Sequence, residues 1–155
     1  MPASSAAAKA LHSQPSTSSF GRARICGSTG CRAALISPAM FEAFGLPVLR
    51  EEVRPMTHNI FHVDGRGVLK DLEIILSVPE IQAIQWVQGM GHDLPIGQWV
   101  PLIKSLQAAG KSVMVDLLVA ELEEFIGAVE PEGILLCLAA DESLQPEIIQ
   151  RVERW

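Results

Sequence analysis

The chain has 155 residues, of which 48% are hydrophobic and 19% charged, a length and composition that suit one folded domain and exclude wholesale disorder. The longest uninterrupted apolar run, 134–140, has seven residues, far short of the ~18 that a membrane-crossing helix needs. Charge is uneven: residues 1–41 hold Lys9, Arg22, Arg24 and Arg32 with no Asp or Glu, while the remainder sets eight basic residues against all 18 acidic ones.

An acidic body with no tyrosine and 5% aromatic residues lacks both the basic stripe and the stacking platforms that nucleic acid requires, so no nucleic-acid or membrane partner is expected. Three cysteines, Cys26, Cys31 and Cys137, form no dense framework and suit a reducing compartment, which makes the cytoplasm the expected location.

Residues 1–24 are Ala/Ser-rich, close on Ser16-Thr17-Ser18-Ser19 and show no sustained hydrophobic period. Disorder is expected there, and the whole segment 1–35 reads as separate from a folded body at 36–155. Its basic, acid-free character is also that of organellar transit peptides, so an organelle is the alternative address. Four residues separate the thiols of Cys26 and Cys31, but further ligands for a metal are missing nearby, and they read as ordinary cysteines.

Ser37-Pro38 supplies an N-cap followed by proline at the first helical position, and Met40, Phe41, Phe44 and Leu49 recur near helical spacing, predicting a helix to about Val53 that Pro47 should kink. Residues 59–64 (Asn-Ile-Phe-His-Val-Asp) form a short apolar strand ended by Gly65-Arg66-Gly67. Val68, Leu69, Leu72, Ile75 and Leu76 predict the next helix, and residues 81–88 the second strand. Trp99, Leu102, Ile103 and Leu106 line one face of a helix closed by Gly110, which suits a left-handed C-terminal turn.

A third strand at 112–118 is followed by a helix carrying Leu122, Phe125, Ile126 and Val129, with Glu121, Glu123 and Glu124 read as its solvated side. A fourth strand at 134–139 precedes a last helix, capped by Asp141 and faced by Leu144, Ile148, Ile149 and Val152. Strand starts near 59, 81, 112 and 134 lie 22, 31 and 22 residues apart, the repeat of parallel strands joined by helical crossovers. The fold class is therefore α/β with a parallel sheet. Four units fit either half of an eight-unit barrel or a small doubly wound sheet.

The segments at 36–49 (Ile-Ser-Pro-Ala-Met-Phe-Glu-Ala-Phe-Gly-Leu-Pro-Val-Leu), 61–65 (Phe-His-Val-Asp-Gly), 84–89 (Ile-Gln-Trp-Val-Gln-Gly) and 108–111 (Ala-Ala-Gly-Lys), in that order, resemble the uroporphyrinogen decarboxylase superfamily, which also contains corrinoid-dependent and coenzyme M methyltransferases. The resemblance covers roughly residues 36–155 and the C-terminal half of the family's barrel. It implies a (βα)4 half of a TIM-type barrel after a preceding helix. The family's arginine-rich N-terminal loop and the substrate-binding aspartate of its first half have no counterpart in this sequence.

The implied substrate is a tetrapyrrole or a methylated small molecule, with a corrinoid protein as a partner in the methyltransferase branch. That branch holds zinc through a His-x-Cys pair and a later cysteine. This chain offers His62 and Asp64, which share a strand face, with Cys137 as the sulfur donor; the change from Cys to Asp makes the site harder, so a magnesium-like or metal-free site also fits.

His62 and Asp64 end a strand on the side where parallel α/β folds place active sites, and with Asp116, a carboxylate interrupting an apolar strand, they are the candidate catalytic residues. Gln85, Trp86, Gln88 and His92 are the candidate substrate-binding residues. A half-barrel should leave interior positions such as Ile84, Val113 and Leu136 uncovered, so self-association or a complementary half-barrel is expected. The alternative function is a non-catalytic half that binds a ligand or partner.

Overall fold

The computed structural model describes residues 24–26, 33–88 and 95–155. Strands β1 (Arg24–Cys26), β2 (Asn59–Asp64), β3 (Ala83–Val87), β4 (Ser112–Leu117) and β5 (Ile134–Leu138) form one sheet, paired in the order β1-β2-β3-β4-β5. Every pairing is parallel. The helices are α1 (Pro38–Met40), α2 (Leu46–Val53), α3 (Leu72–Leu76), α4 (Val100–Ala108), α5 (Leu122–Ala128) and α6 (Gln145–Glu153). The four strands β2 to β5 alternate with helices within a residue or two of the sequence expectation.

The strand order never reverses. Right-handed crossovers that always step in one direction put every helix on the same face, whereas a doubly wound sheet needs a reversal. Burial agrees: Phe61, Ile84 and Val113 stand side by side in register, as do Val63, Trp86 and Val115, and all six are buried. With Phe41, Leu49, Ile75, Ile103 and Phe125 from the helices they make a single core, each side chain contributing roughly 1.5–3 kcal/mol by leaving water. The opposite face carries Ile60, His62, Asp64, Ala83, Gln85, Val87, Met114, Leu135 and Cys137, all half-buried, with Ser112 and Asp116 exposed.

Two sequence expectations are corrected here. Arg24–Cys26 is an edge strand paired with Asn59–Phe61 and Ala33 belongs to the core, so the folded body starts before residue 36. Three residues are too short for a strand pattern to show in an Ala/Ser-rich context, and only the partner strand defines them. Ile84 and Val113 are fully buried and Leu136 half-buried against the helices; the alternation of a strand gives the open face to their neighbours.

Pro47 is absorbed by a wide π turn, Phe41–Gly45, that joins α1 to α2. The amide of Leu46 donates to the carbonyl of Phe41, a five-residue step that makes room for a ring lacking an N–H. The turn seats the Phe41 ring over Gly45, where a Cβ would lie 2.6 Å from Cδ2. Ser37 caps α1 as expected, accepting from the Met40 amide at 3.3 Å. Asp141 does not cap α6; its backbone carbonyl accepts from Leu144, which itself occupies the N-cap with no side-chain bond. Gly110 has φ 74°, the left-handed turn expected after α4.

Candidate functional site

The two ends of the sheet differ in how they are held. At the N-terminal end, side chains tie each incoming loop to the next. Asn59 Nδ2 donates to the carbonyls of Val53 (3.2 Å) and Glu80 (2.8 Å). Lys111 Nζ donates to Val78 (3.3 Å) and Ile81 (2.6 Å), and Gln107 Nε2 to Glu130 and Glu132, both at 2.9 Å. Burial pushes the Lys111 ammonium below its usual range, against the opposing pull of Glu80. In parallel α/β folds this end serves stability and the C-terminal end serves chemistry.

At the C-terminal end, the open face presents polar side chains in two rows. The first runs His62, Gln85, Met114, Leu135 and the second begins Asp64, Val87. Continuing the β3–β4 register places Asp116 beside Val87, and Asp116 pairs in turn with Cys137. His62 Nδ1 and Gln85 Oε1 are hydrogen-bonded at 3.0 Å. The Cys137 thiol is pushed above its usual range by burial first and by the Asp116 carboxylate second, which keeps the free thiol protonated at neutral pH. Asp116 is exposed rather than buried in an apolar strand as the sequence suggested, so water solvates it and no partner is demanded.

His62, Asp64, Gln85, Asp116 and Cys137 therefore share one face. They do not converge on one point. Asp64 and Cys137 stand three strand spacings apart, about 14 Å along a flat sheet, and among the described residues no group of three or more His, Cys, Asp or Glu could hold a metal ion. The His62, Asp64 and Cys137 set does not fit zinc in this arrangement, and no chemical step is assigned to a metal.

Trp86 is removed from the ligand-facing set. Neighbours along a strand point to opposite faces, so with Gln85 on the open face Trp86 turns into the core, 1% exposed, with its ring centroid 4.6 Å from that of Trp99. Gln88 follows the last residue of β3 and is half-buried. His92 and Cys31 lie outside the described residues.

Several structural roles were missed in the sequence. Glu121 is no solvated residue: Oε1 accepts from the Ile96 amide at 2.8 Å and Oε2 from the Leu118 amide at 3.0 Å, clamping the loops that follow β3 and β4. Only half of a capping box is present, since Leu118 has no side-chain acceptor to return the bond, so the sequence carried no such signal. Arg66 lies 4.9 Å over the Trp99 ring and donates to Gln98 Oε1. Asp71 is fully buried with both carboxylate oxygens unpartnered, and burial raises its pKa above the ordinary carboxyl value, opposed by Lys70. Comparison with protein-family models, with curated proteins and with solved structures gave no match. Among the described residues no helix is long and apolar enough to cross a membrane.

Proposed function

We propose that the protein is a uroporphyrinogen decarboxylase-like half-barrel whose open face, at the C-terminal ends of β2 to β5, binds a tetrapyrrole-type small molecule. One observation carries the reading. The open face is rich in hydrogen-bond acceptors, the His62 ring and the carboxylates of Asp64 and Asp116, and bears no Lys or Arg on β2 to β5. Pyrrole N–H groups are donors and match such a face, whereas a ligand crowded with carboxylates is repelled by it.

Of the two chemistries that the resemblance implies, decarboxylation is the better supported, for a tetrapyrrole bearing few carboxylates rather than one crowded with them. It needs proton exchange at carbon, for which an imidazole is suited near neutrality. Thiol methyl transfer needs a zinc-bound thiolate, and the described residues assemble no such centre. The described residues supply five of the eight strands of a closed barrel, so turnover is expected only when further strand–helix units complete the wall.

The test is a titration of the chain with coproporphyrin (four carboxylates) and uroporphyrin (eight), followed by the Soret band. Coproporphyrin should bind the more tightly, and Asp64→Asn with Asp116→Asn should weaken it about tenfold per lost charged acceptor. Absence of binding by either porphyrin, or tighter binding of uroporphyrin, would overturn the reading.

A second reading, a partner-binding half without catalysis, is favoured by β5. All five of its residues are half-buried rather than alternating, and its outer edge pairs with no strand among the described residues. A second copy would bring the count to ten strands, two beyond an eight-stranded barrel, so self-association would be edge-on. Sedimentation across a concentration series should then show a dimer, and a monomer at every concentration would remove this reading.

A further inference from the structure

We infer that Gln85 is a positioning residue that holds His62 in the Nδ1–H tautomer, so that Nε2 carries the lone pair available to a ligand on the open face. The inference deepens the proposed binding face by naming the atom that it uses, and rests on that reading only for its consequence. His62 and Gln85 are register partners on adjacent strands, and the ring meets the amide at Nδ1, 3.0 Å from Oε1. An imidazole nitrogen facing a carbonyl oxygen must carry the proton, and in a neutral ring the other nitrogen is then the acceptor.

The orientation of the amide follows from its neighbours. Directly beside Gln85 on the open face stand His62 on β2 and Met114 on β4, with Ala83 and Val87 one step below and above on its own strand. A thioether and two aliphatic side chains donate no hydrogen bond, so among these described neighbours only His62 can serve the amide oxygen, which the structure turns toward Nδ1 at 3.0 Å. Strand pairing keeps the two backbones in register, so the tautomer is set by the sheet before any ligand arrives.

The consequence is chemical. Nε2 of a neutral His62 accepts a ligand N–H or O–H, which agrees in sign with the carboxylates of Asp64 and Asp116 in the next row. An Nε2–H tautomer would instead present a donor beside the two carboxylates.

The test needs no ligand. The full chain is labelled with 15N, and the side-chain nitrogens of its four histidines are observed through two-bond couplings to the ring protons, with His62→Gln assigning the His62 set. In its neutral form, His62 should show a protonated Nδ1 and an unprotonated Nε2. Gln85→Leu should shift the ring to a majority of the Nε2–H form that free imidazole side chains prefer in water. Gln85→Glu should keep the Nδ1–H form, because a carboxylate oxygen accepts in the same place. A wild-type ring in the Nε2–H form, or a Gln85→Leu ring unchanged from wild type, would overturn the inference. Should Gln85→Leu fail to fold, the wild-type spectrum and Gln85→Glu still decide. Because porphyrin is absent, failure of the proposed ligand leaves this result untouched, and the converse holds as well.

Discussion

Replacing Asp71 by Asn should stabilise the protein at neutral pH. Asp71 closes the 3-10 turn Arg66–Asp71 that leads into α3, and lies on the same inward side as Val68 and Ile75, which are fully buried. Its carboxyl has no exposed surface and no hydrogen-bond partner. The ammonium of the preceding Lys70 donates instead to the carbonyls of Ala34 and Ile36.

Burial raises the folded-state pKa of Asp71 above the ordinary 3.8. The unfolded chain then releases this proton at lower pH than the folded one. Stability is fully present below about pH 3.8 and is lost as pH rises through the raised folded value. An uncompensated buried polar group costs about 1–3 kcal/mol and a charged one more; Asn is itself a buried polar group, so the substitution removes only the excess due to charge. Asp71→Asn should therefore gain about 1–2 kcal/mol at pH 7, a rise of roughly 2–8 °C in Tm for a chain of this size. At pH 3, where the wild-type carboxyl is neutral too, the gain should vanish. Urea unfolding followed by the fluorescence of the buried Trp86 and Trp99 at a series of pH values makes the measurement. A loss of stability in Asp71→Asn that is greatest at pH 7 and fades toward pH 3 would refute the reasoning, because it would mean that the carboxylate is paired and useful.

Three further outcomes are open to the same unfolding assay. Gly110→Ala should cost about 1–2 kcal/mol, since φ is 74° there although nothing lies within 4 Å of the added carbon; Gly127→Ala, with equal space but inside α5, should gain up to about 1 kcal/mol from helix propensity. Lys111→Met keeps the stem but removes both bonds to Val78 and Ile81, and should lower stability by about 2 kcal/mol. Glu121→Gln retains one acceptor for the Ile96 and Leu118 amides and should cost about 1 kcal/mol, Glu121→Ala about twice that, with faster amide exchange at both positions.

The periodic elements were legible because each is set by local chemistry. Apolar runs bounded by Gly65, Gly110 and Pro131 gave β2 to β5, and Ser37-Pro38 gave the start of the first helix. The π turn was not legible: Pro47 announces a disturbance, but whether the helix kinks or widens depends on the Phe41 ring finding its seat over Gly45. The edge strand at Arg24–Cys26 exists only through its pairing with β2.

At the site, a period of two was enough to place His62 with Asp64 on one face and to separate Gln85 from Trp86, yet it could not say which face was open. That choice belongs to the strand order. Four consecutive crossovers in one direction put all the helices on the side of Phe61, Ile84 and Val113 and left the side of His62, Gln85 and Asp116 uncovered. Composition and punctuation by themselves determined a parallel α/β chain. Only the tertiary structure decided which residues became wall and which became core, and it left Asp64 and Cys137 three strands apart, because register and order are properties of paired strands and not of any one segment.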